Sequence, residues 1–412
     1  MNGVKNYFAG MACWSVLFVG VVNSADWNQF RGPNRDNVSN ETGLLSQWPD
    51  GGPKQIWIGT GLGEGYSAVS VVGSLVYSMG NQDGGEFIVA VGRNSGKVVW
   101  KVRNGNEYHN GTGNGPRGTP TVAGGRVYAL GGNGDLTCCN AETGDVLWHR
   151  NILSEFQGSN ITWGISESVL VDDGRVICTP GGNKGTVVAL NAASGIEEWV
   201  SHVPESPQAA YASPVIARIG PTKQYIIFTS KGVVSIQASN GKALWGQNRS
   251  SNNTANCATP LVIGKQVFSS SAYGAGSELI QMTNQRRQVS SKAVYHNKHM
   301  KNHHGGMVYV DGHVYGSSGD ILTCISLDTG EPTWRQRSMK GSVVYADGKI
   351  VFRDENGPIV LLDASPRNYR ERGRFVQPER SSRPAWTHPV IAGGCLYLRD
   401  QDKLLVYDLL GS

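Results

Sequence analysis

The chain is predicted to be all-β, an eight-bladed β-propeller with four-stranded antiparallel blades, and three observations predict it. A stretch of one pattern recurs at 90–100 (AVGRNSGKVVW), 138–148 (CCNAETGDVLW), 189–199 (ALNAASGIEEW), 235–245 (SIQASNGKALW) and 324–334 (CISLDTGEPTW), each with a Gly four residues before a Trp. The aromatic residues Trp57, Trp100, Trp148, Trp199, Trp245, Tyr295, Trp334 and Phe375 follow one another at intervals of 39 to 51 residues, each suited to one four-stranded blade. Tyr295 and Phe375 are placed by spacing, because their units lack the Gly turn. Finally, 55 glycines, 17 % charged residues and no long amphipathic helical pattern in 412 residues argue for short strands and many turns. An array that closes on itself is one domain at this length.

The repeat can be read column by column, since a strand alternates its faces. Its first column is small (Ala90, Cys138, Ala189, Ser235, Cys324) and its second larger and apolar (Val91, Cys139, Leu190, Ile236, Ile325), so one face meets a close neighbour and the other fills a gap. Gly96, Gly144, Gly195, Gly241 and Gly330 turn the chain, each preceded by Ser, Thr or Asn, which hydrogen-bond locally in turns. The returning strand ends in a Trp whose ring can pack on the next unit while its N–H finds a backbone acceptor.

This pattern resembles the tryptophan-docking motif of the pyrroloquinoline quinone (PQQ)-like repeat propellers, which runs Ala, any, Asp, any, any, Thr, Gly, three of any kind, Trp. Cys138, Asn140, Thr143, Gly144 and Trp148 fit it, as do Cys324, Ser326, Thr329, Gly330 and Trp334, although Asp is kept in no copy. The resemblance covers nearly the whole chain beyond its N-terminus and implies the fold. For activity it implies two things, because the superfamily holds both quinoprotein alcohol dehydrogenases, which use PQQ and calcium, and a similar outer-membrane assembly lipoprotein that uses the propeller as a binding scaffold.

At the N-terminus, Lys5, an apolar run from about Tyr7 to Val22, and small residues before Ala25 read as a secretory signal over residues 1–24. The run is short of the ~20 residues a spanning helix needs. The chain is therefore expected to be exported to the periplasm, cell envelope or extracellular space, with no transmembrane segment after cleavage. Of seven cysteines, Cys13 falls in the signal, leaving six where disulfides can form. Cys138 and Cys324 occupy one column in opposite units, too far apart to bridge. Quinoprotein alcohol dehydrogenases carry an adjacent-cysteine disulfide against their quinone, and Cys138 and Cys139 are adjacent. They nevertheless fall in the two packing columns of the repeat strand, so mostly free thiols are expected.

Residues 25–53 lack the repeat, and their Pro, Gly and Asn content reads as an extended lead-in wrapped on the surface. The propeller then occupies residues 54–412. Lys54–Trp57 has the look of a unit's last strand, and the chain ends after a third strand near Leu409. The N-terminal strand is expected to complete the last blade and close the ring without a free edge.

Aligning backwards from the apolar runs at 75–77, 126–128, 175–177, 266–268, 313–315, 349–351 and 395–397 gives one residue per blade at the start of each inner strand. That ring is Tyr66, Arg117, Ser166, Tyr211, Cys257, His304, Lys340 and Trp386. The next columns are small, as crowding near an axis requires, apart from Glu167 and His388. Tyr66, Arg117, Glu167, Tyr211, His304, Lys340, Trp386 and His388 are thus the candidate ligand-binding residues, converging at one channel mouth. Arg117 or Lys340 is expected to serve the Glu167 carboxylate. Arg353-Asp354 and Arg399-Asp400, at matching places in two blades, read as braces between neighbours.

No Cys-x-x-Cys-His, Gly-x-Ser-x-Gly, phosphate loop or His-Glu-x-x-His occurs, which excludes covalent haem and three familiar catalytic classes. A net charge of +5 without clustering does not suggest nucleic acid. His296, His299, His303 and His304 read as an inter-blade loop rather than a metal site, and no catalytic residue stands out. Aromatic and cationic groups at a mouth can grip an anion or a planar ring. The favoured reading is a binding or scaffold propeller for an envelope protein, peptide or saccharide, with no cofactor required. The alternative is a PQQ- and calcium-dependent dehydrogenase of alcohols or sugars, with Glu167 as its metal-ligand candidate.

Overall fold

The computed structural model describes residues 26–286, 288–337 and 339–411. The segment read as a signal, 1–24, lies outside them, as does Cys13. Eight four-stranded antiparallel sheets form, spanning 70–105, 121–151, 170–201, 215–247, 261–297, 307–337 and 341–376, with the eighth built from 390–408. Gln55–Gly59 pairs antiparallel with Lys403–Asp408 and supplies the fourth strand of that last blade, as the closure argument expects.

Each outer strand pair carries an irregularity at the same place, and its position explains the repeat; the first blade has a second one at Glu86/Phe87. Trp100 lies opposite Ala90 and Val98 opposite Val91, so Val99 is an extra residue bulged outward. The same step sits at Trp148, Trp199, Trp245, Tyr295, Trp334 and Trp57. A bulge bends and twists the strand, and here it directs the aromatic ring toward the next blade. There the ring covers the turn glycine: a Cβ on Gly144 (φ +80°) would stand 2.8 Å from the Trp100 ring, and one on Gly241 2.6 Å from Trp199. The Gly column therefore answers both to positive φ and to the neighbour's indole. Trp100 Nε1 and Tyr77 Oη donate to one carbonyl of the next blade, Ala141 O, at 3.1 Å each, and Trp148 and Tyr128 repeat this on Ala192 O.

Other units depart from this: Trp199 Nε1 is buried without an acceptor and Tyr225 Oη donates to Asp172 instead. Trp245 donates to Gln224 Oε1 of its own blade, because the fifth blade replaces the Gly turn with a long hairpin, Gly276–Gln285 and Gln288–Asn297. In the seventh blade Phe375 is on the outer strand but two residues beyond the docking register, which Gly373 occupies opposite Leu361. Trp48 from the N-terminal segment lies over Gly373 and against Phe375 (ring centroids 5.3 Å), so an indole borrowed from elsewhere in the chain fills the place.

Around the axis, the small column is a chain of hydrogen bonds between blades. The N–H groups of Ala68, Thr119, Ser168 and Ser213 donate to the hydroxyls of Thr119, Ser168, Ser213 and Thr259, at 2.8–3.1 Å. Arg353 reaches the carbonyls of Thr387 and Arg399, and Arg399 those of Gly63, Ser67 and Met79, so the two arginines do brace blades seven to eight and eight to one.

The first part of the N-terminal segment, residues 26–39, is not wrapped on the surface, whereas residues 40–52 are mostly exposed apart from Trp48. Trp27, Arg31, Arg35, Asn37 and Ser39 are buried, because residues 26–39 cross the end of the channel away from the mouth and enter it. Trp27 pairs with Val71, and Val38 bridges Tyr345. Arg31 donates to Thr259 O and Met307 O, at 3.0 and 2.6 Å. Arg35 donates to Ser168 O at 2.8 Å, Pro214 O at 2.9 Å and Val169 O. Carbonyl dipoles, which a ring of inner strands presents toward its axis, take the hydrogen bonds of these two cations, with Asp36 the acid near Arg31 and Glu167 the one near Arg35.

Candidate functional site

The mouth is built where the chain enters the inner strands. Tyr66, Arg117, Ser166, Tyr211, Cys257, His304 and Trp386, seven of the eight ring positions, line one cavity of about 310 Å³. They come together because each blade delivers its first strand at the same height. His388 lines it too, and Phe30 of the N-terminal plug reaches it from below, 5.1 Å from the His388 ring. Aromatic pairs bridge adjacent blades around the wall: Tyr66 with Trp386 (4.9 Å), Trp163 with Tyr211 (5.7 Å) and Tyr273 with His303 (5.3 Å). Trp163, Tyr273, His303 and Phe30 escape the column argument, because they sit on loops and in the plug rather than at the start of an inner strand. His303 had a signal in the histidine cluster and Trp163 lies three residues before Ser166, whereas Phe30 and Tyr273 had none.

Arg117 is half-buried between the Tyr66 and Tyr108 rings, 5.7 and 5.1 Å from their centroids. Its guanidinium donates to Gly115 O at 2.9 Å and Gly113 O at 2.8 Å. Burial lowers its pKa, but an arginine stays charged.

On the opposite wall, Tyr273 Oη lies 3.2 Å from His303 Nε2, His303 Nδ1 3.0 Å from His304 Nδ1, and His304 Nε2 2.9 Å from Glu355 Oε1. Desolvation, helped by the His304 and Lys340 charges, pushes His303 down to about 3. Neutral His303 has a single N–H, so one of its ring nitrogens donates and the other accepts, between the Tyr273 hydroxyl and His304. Glu355 is held down at about 2 by His304 and Lys340 against the upward push of burial.

Lys340 does not line the cavity; it stands beside it, 3.1 Å from Glu355. Glu167 does not line it either. It is 3 % exposed, and burial pushes its carboxyl up to about 8, opposed by Thr179 hydrogen bonds and the charge of Arg35. Arg35, not Arg117 or Lys340, is thus the charge that serves it. His388 breaks the small column because its ring fills the space over Gly306, where a Cβ would lie 2.9 Å from the ring, and Nε2 donates to His304 O at 2.7 Å. Burial lowers His388 to about 3, so it is neutral. His296 and His299 lie away from this site, against Ala275 O and Glu331.

A quinone-and-calcium site fits these residues poorly. Calcium needs six to eight oxygen ligands with carboxylates among them, yet no Asp or Glu lines the cavity, and Glu167 is buried beneath it as the neutral acid. Among the described residues no group of His, Cys, Asp or Glu could hold a metal ion. Cys138 and Cys139 are free thiols in the core of blade two, not at the mouth; Cys178, Cys257, Cys324 and Cys395 are free as well.

Repeat, bulge, ring closure and mouth together define a PQQ-like repeat propeller. Residues 84–336 match the family described as outer membrane protein assembly factor BamB, and the chain belongs to that family. BamB of Burkholderia pseudomallei (strain K96243) is 25 % identical over 424 residues, covering 98 % of each chain. The crystal structure of BamB from Moraxella catarrhalis superposes with a TM-score of 0.60 at 15 % identity, over 86 % of this chain and 97 % of that one. Quinohemoprotein alcohol dehydrogenase from Comamonas testosteroni gives 0.66 at 13 % identity, over 94 % and 81 %. At such identities the two structures share the fold alone with this chain.

Proposed function

We propose that the chain is an exported envelope propeller that acts as a binding or scaffold protein and takes its ligand, an envelope protein, peptide or saccharide, at the channel mouth. The observation that carries this reading is the convergence of Tyr66, Arg117, Tyr211, His304 and Trp386, from five blades, on one aromatic cavity whose far end is closed by the plug. A mouth that is concave, mostly apolar and edged with a few polar groups is what a binding site needs. Family membership and the assembly-factor name of the relatives support a scaffold role in the envelope. No helix of the described residues is long and apolar enough to cross a membrane.

The test is site-specific photo-cross-linking in the native envelope, with the reactive group at Trp386 or, as a control, at Val376 on the outer rim. Adducts that form at Trp386 and not at Val376 support the mouth. Equal labelling at both positions, or labelling only at the rim, sinks it. Cell fractionation with N-terminal sequencing checks export, for which a mature chain beginning at Ala25 or Asp26 is expected. Reconstitution with PQQ and calcium is expected to yield no dye-linked alcohol oxidation.

A further inference from the structure

We propose that the mouth recognises the acidic end of an oligosaccharide, a uronate whose carboxylate sits on Arg117 while the sugars that follow run into a second, amide-lined cavity. The proposal rests on the reading of the mouth as the docking end.

The first observation is an unbalanced charge. Among the described residues no carboxylate lies within ion-pair distance of Arg117, whereas Lys340 across the mouth is matched by Glu355 and Arg383 by Glu64. Two of the five guanidinium N–H groups go to Gly113 O and Gly115 O, and three remain in a wall with no acid. A half-buried guanidinium flanked by aromatic rings, with donors to spare, is a bidentate receptor for a carboxylate.

The second observation is the wall itself. Two of the aromatic pairs, Tyr66 with Trp386 and Trp163 with Tyr211, are tilted and the third, Tyr273 with His303, is edge-on, and a pyranose, flat and C–H-rich on one face and hydroxylated at its edge, matches a wall of ring faces and edges.

The third is the adjoining cavity of about 190 Å³, which shares Tyr211 and Ala255 with the mouth. No charged side chain lines it. Asn252 and Asn256 are pinned into their loop by several hydrogen bonds each, which makes the floor rigid. Gln208, Asn253 and Thr254 are exposed above it and their side chains make no hydrogen bond. Amides and hydroxyls, each both donor and acceptor, suit sugar hydroxyls. A peptide is the less favoured occupant: the mouth is made of loops, with no free strand edge to receive a main-chain ladder.

The experiment is isothermal titration of the mature full chain with the tetramer of galacturonic acid, its fully methyl-esterified form, and neutral cellotetraose. Saturable binding of the acid is expected, falling at least tenfold for the ester and for Arg117→Met. The Gln208→Ala/Asn253→Ala double variant should weaken the tetramer and leave monomeric galacturonate unchanged. The ester arm needs no mutation and so stands even if Arg117→Met misfolds. Equal affinity for cellotetraose, or binding indifferent to esterification, overturns the proposal. So does the absence of binding to the galacturonate, mannuronate and hyaluronan tetramers alike. If cross-linking at Trp386 then still captures a peptide, the mouth stands as the docking end and only the glycan assignment falls.

Discussion

Arg35 Nη1 donates to the backbone carbonyl of Ser168 at 2.8 Å, which ties a side chain of the irregular N-terminal segment into the axis of blade three. The same guanidinium reaches Val169 and Pro214, so one residue laces blades three and four from inside the channel. Arg35→Met would take this donor from the buried Ser168 and Pro214 carbonyls, at about 1–3 kcal/mol for each unsatisfied group, while Val169 O keeps the Thr121 hydroxyl. A loss of about 3 kcal/mol or more in denaturant unfolding is expected. A variant within about 0.5 kcal/mol of the parent, the usual range for surface changes, would show that the plug is dispensable.

Removal of residues 25–58 takes away the plug, Trp48 and all but the last residue of the strand Gln55–Gly59 together. It uncovers the edge of Lys403–Asp408, an association template. The truncated chain should lose more stability than Trp57→Ala, a change of roughly 3–5 kcal/mol, and should aggregate. Equal melting temperatures for the truncated and full mature chains would mean that ring closure does not depend on the N-terminus.

Gly144 and Gly174 separate the two demands on a turn glycine. Both have positive φ, +80° and +75°, but only at Gly144 would a Cβ meet an indole; around Gly174 nothing lies within 4 Å. Gly174→Ala should cost the left-handed strain alone, about 1–2 kcal/mol. Gly144→Ala should cost about 1–3 kcal/mol more, through displacement of Trp100. Equal losses would remove the ring contact from the account of the repeat.

Glu167 makes stability depend on pH with a definite sign. Its folded pKa, about 8, lies above the ordinary 4.5, so the folded state keeps a proton that the unfolded chain releases. Its contribution is full below pH 4.5 and is lost as pH rises through 8, by on the order of a few kcal/mol. Glu167→Gln, which mimics the neutral acid, should flatten that decline in urea titrations between pH 5 and 8.5. An unchanged pH slope would place the proton elsewhere.

The thiols offer a chemical check on packing. Desolvation pushes Cys138 up to about 11 and Cys139 to about 12, and both are buried. Neither should be alkylated in the native protein at pH 8, and both should be after unfolding, as read by mass spectrometry. A Cys138–Cys139 bridge in most molecules would contradict the core placement.

What the sequence by itself determined was whatever repeats. The Gly and Trp columns define a unit, the unit's length sets the number of blades, and a strand missing at one end against a strand spare at the other settles how the ring closes. The ring from Tyr66 to Trp386 was legible for the same reason: identical units deliver their inner strands at one height, so column position stands in for spatial position. Tertiary structure decided what does not repeat. Residues 26–39 have no period, and only the completed ring, with its carbonyls pointing inward, creates a place for Arg31 and Arg35. Trp48 could be matched to Gly373 only once the segment had crossed the molecule. Glu167 and Lys340 sit in the right columns, yet one turns into the core and the other toward Glu355. Columns fix where a Cα lies, whereas the direction of a charged side chain depends on which partner and how much water the assembled structure leaves it.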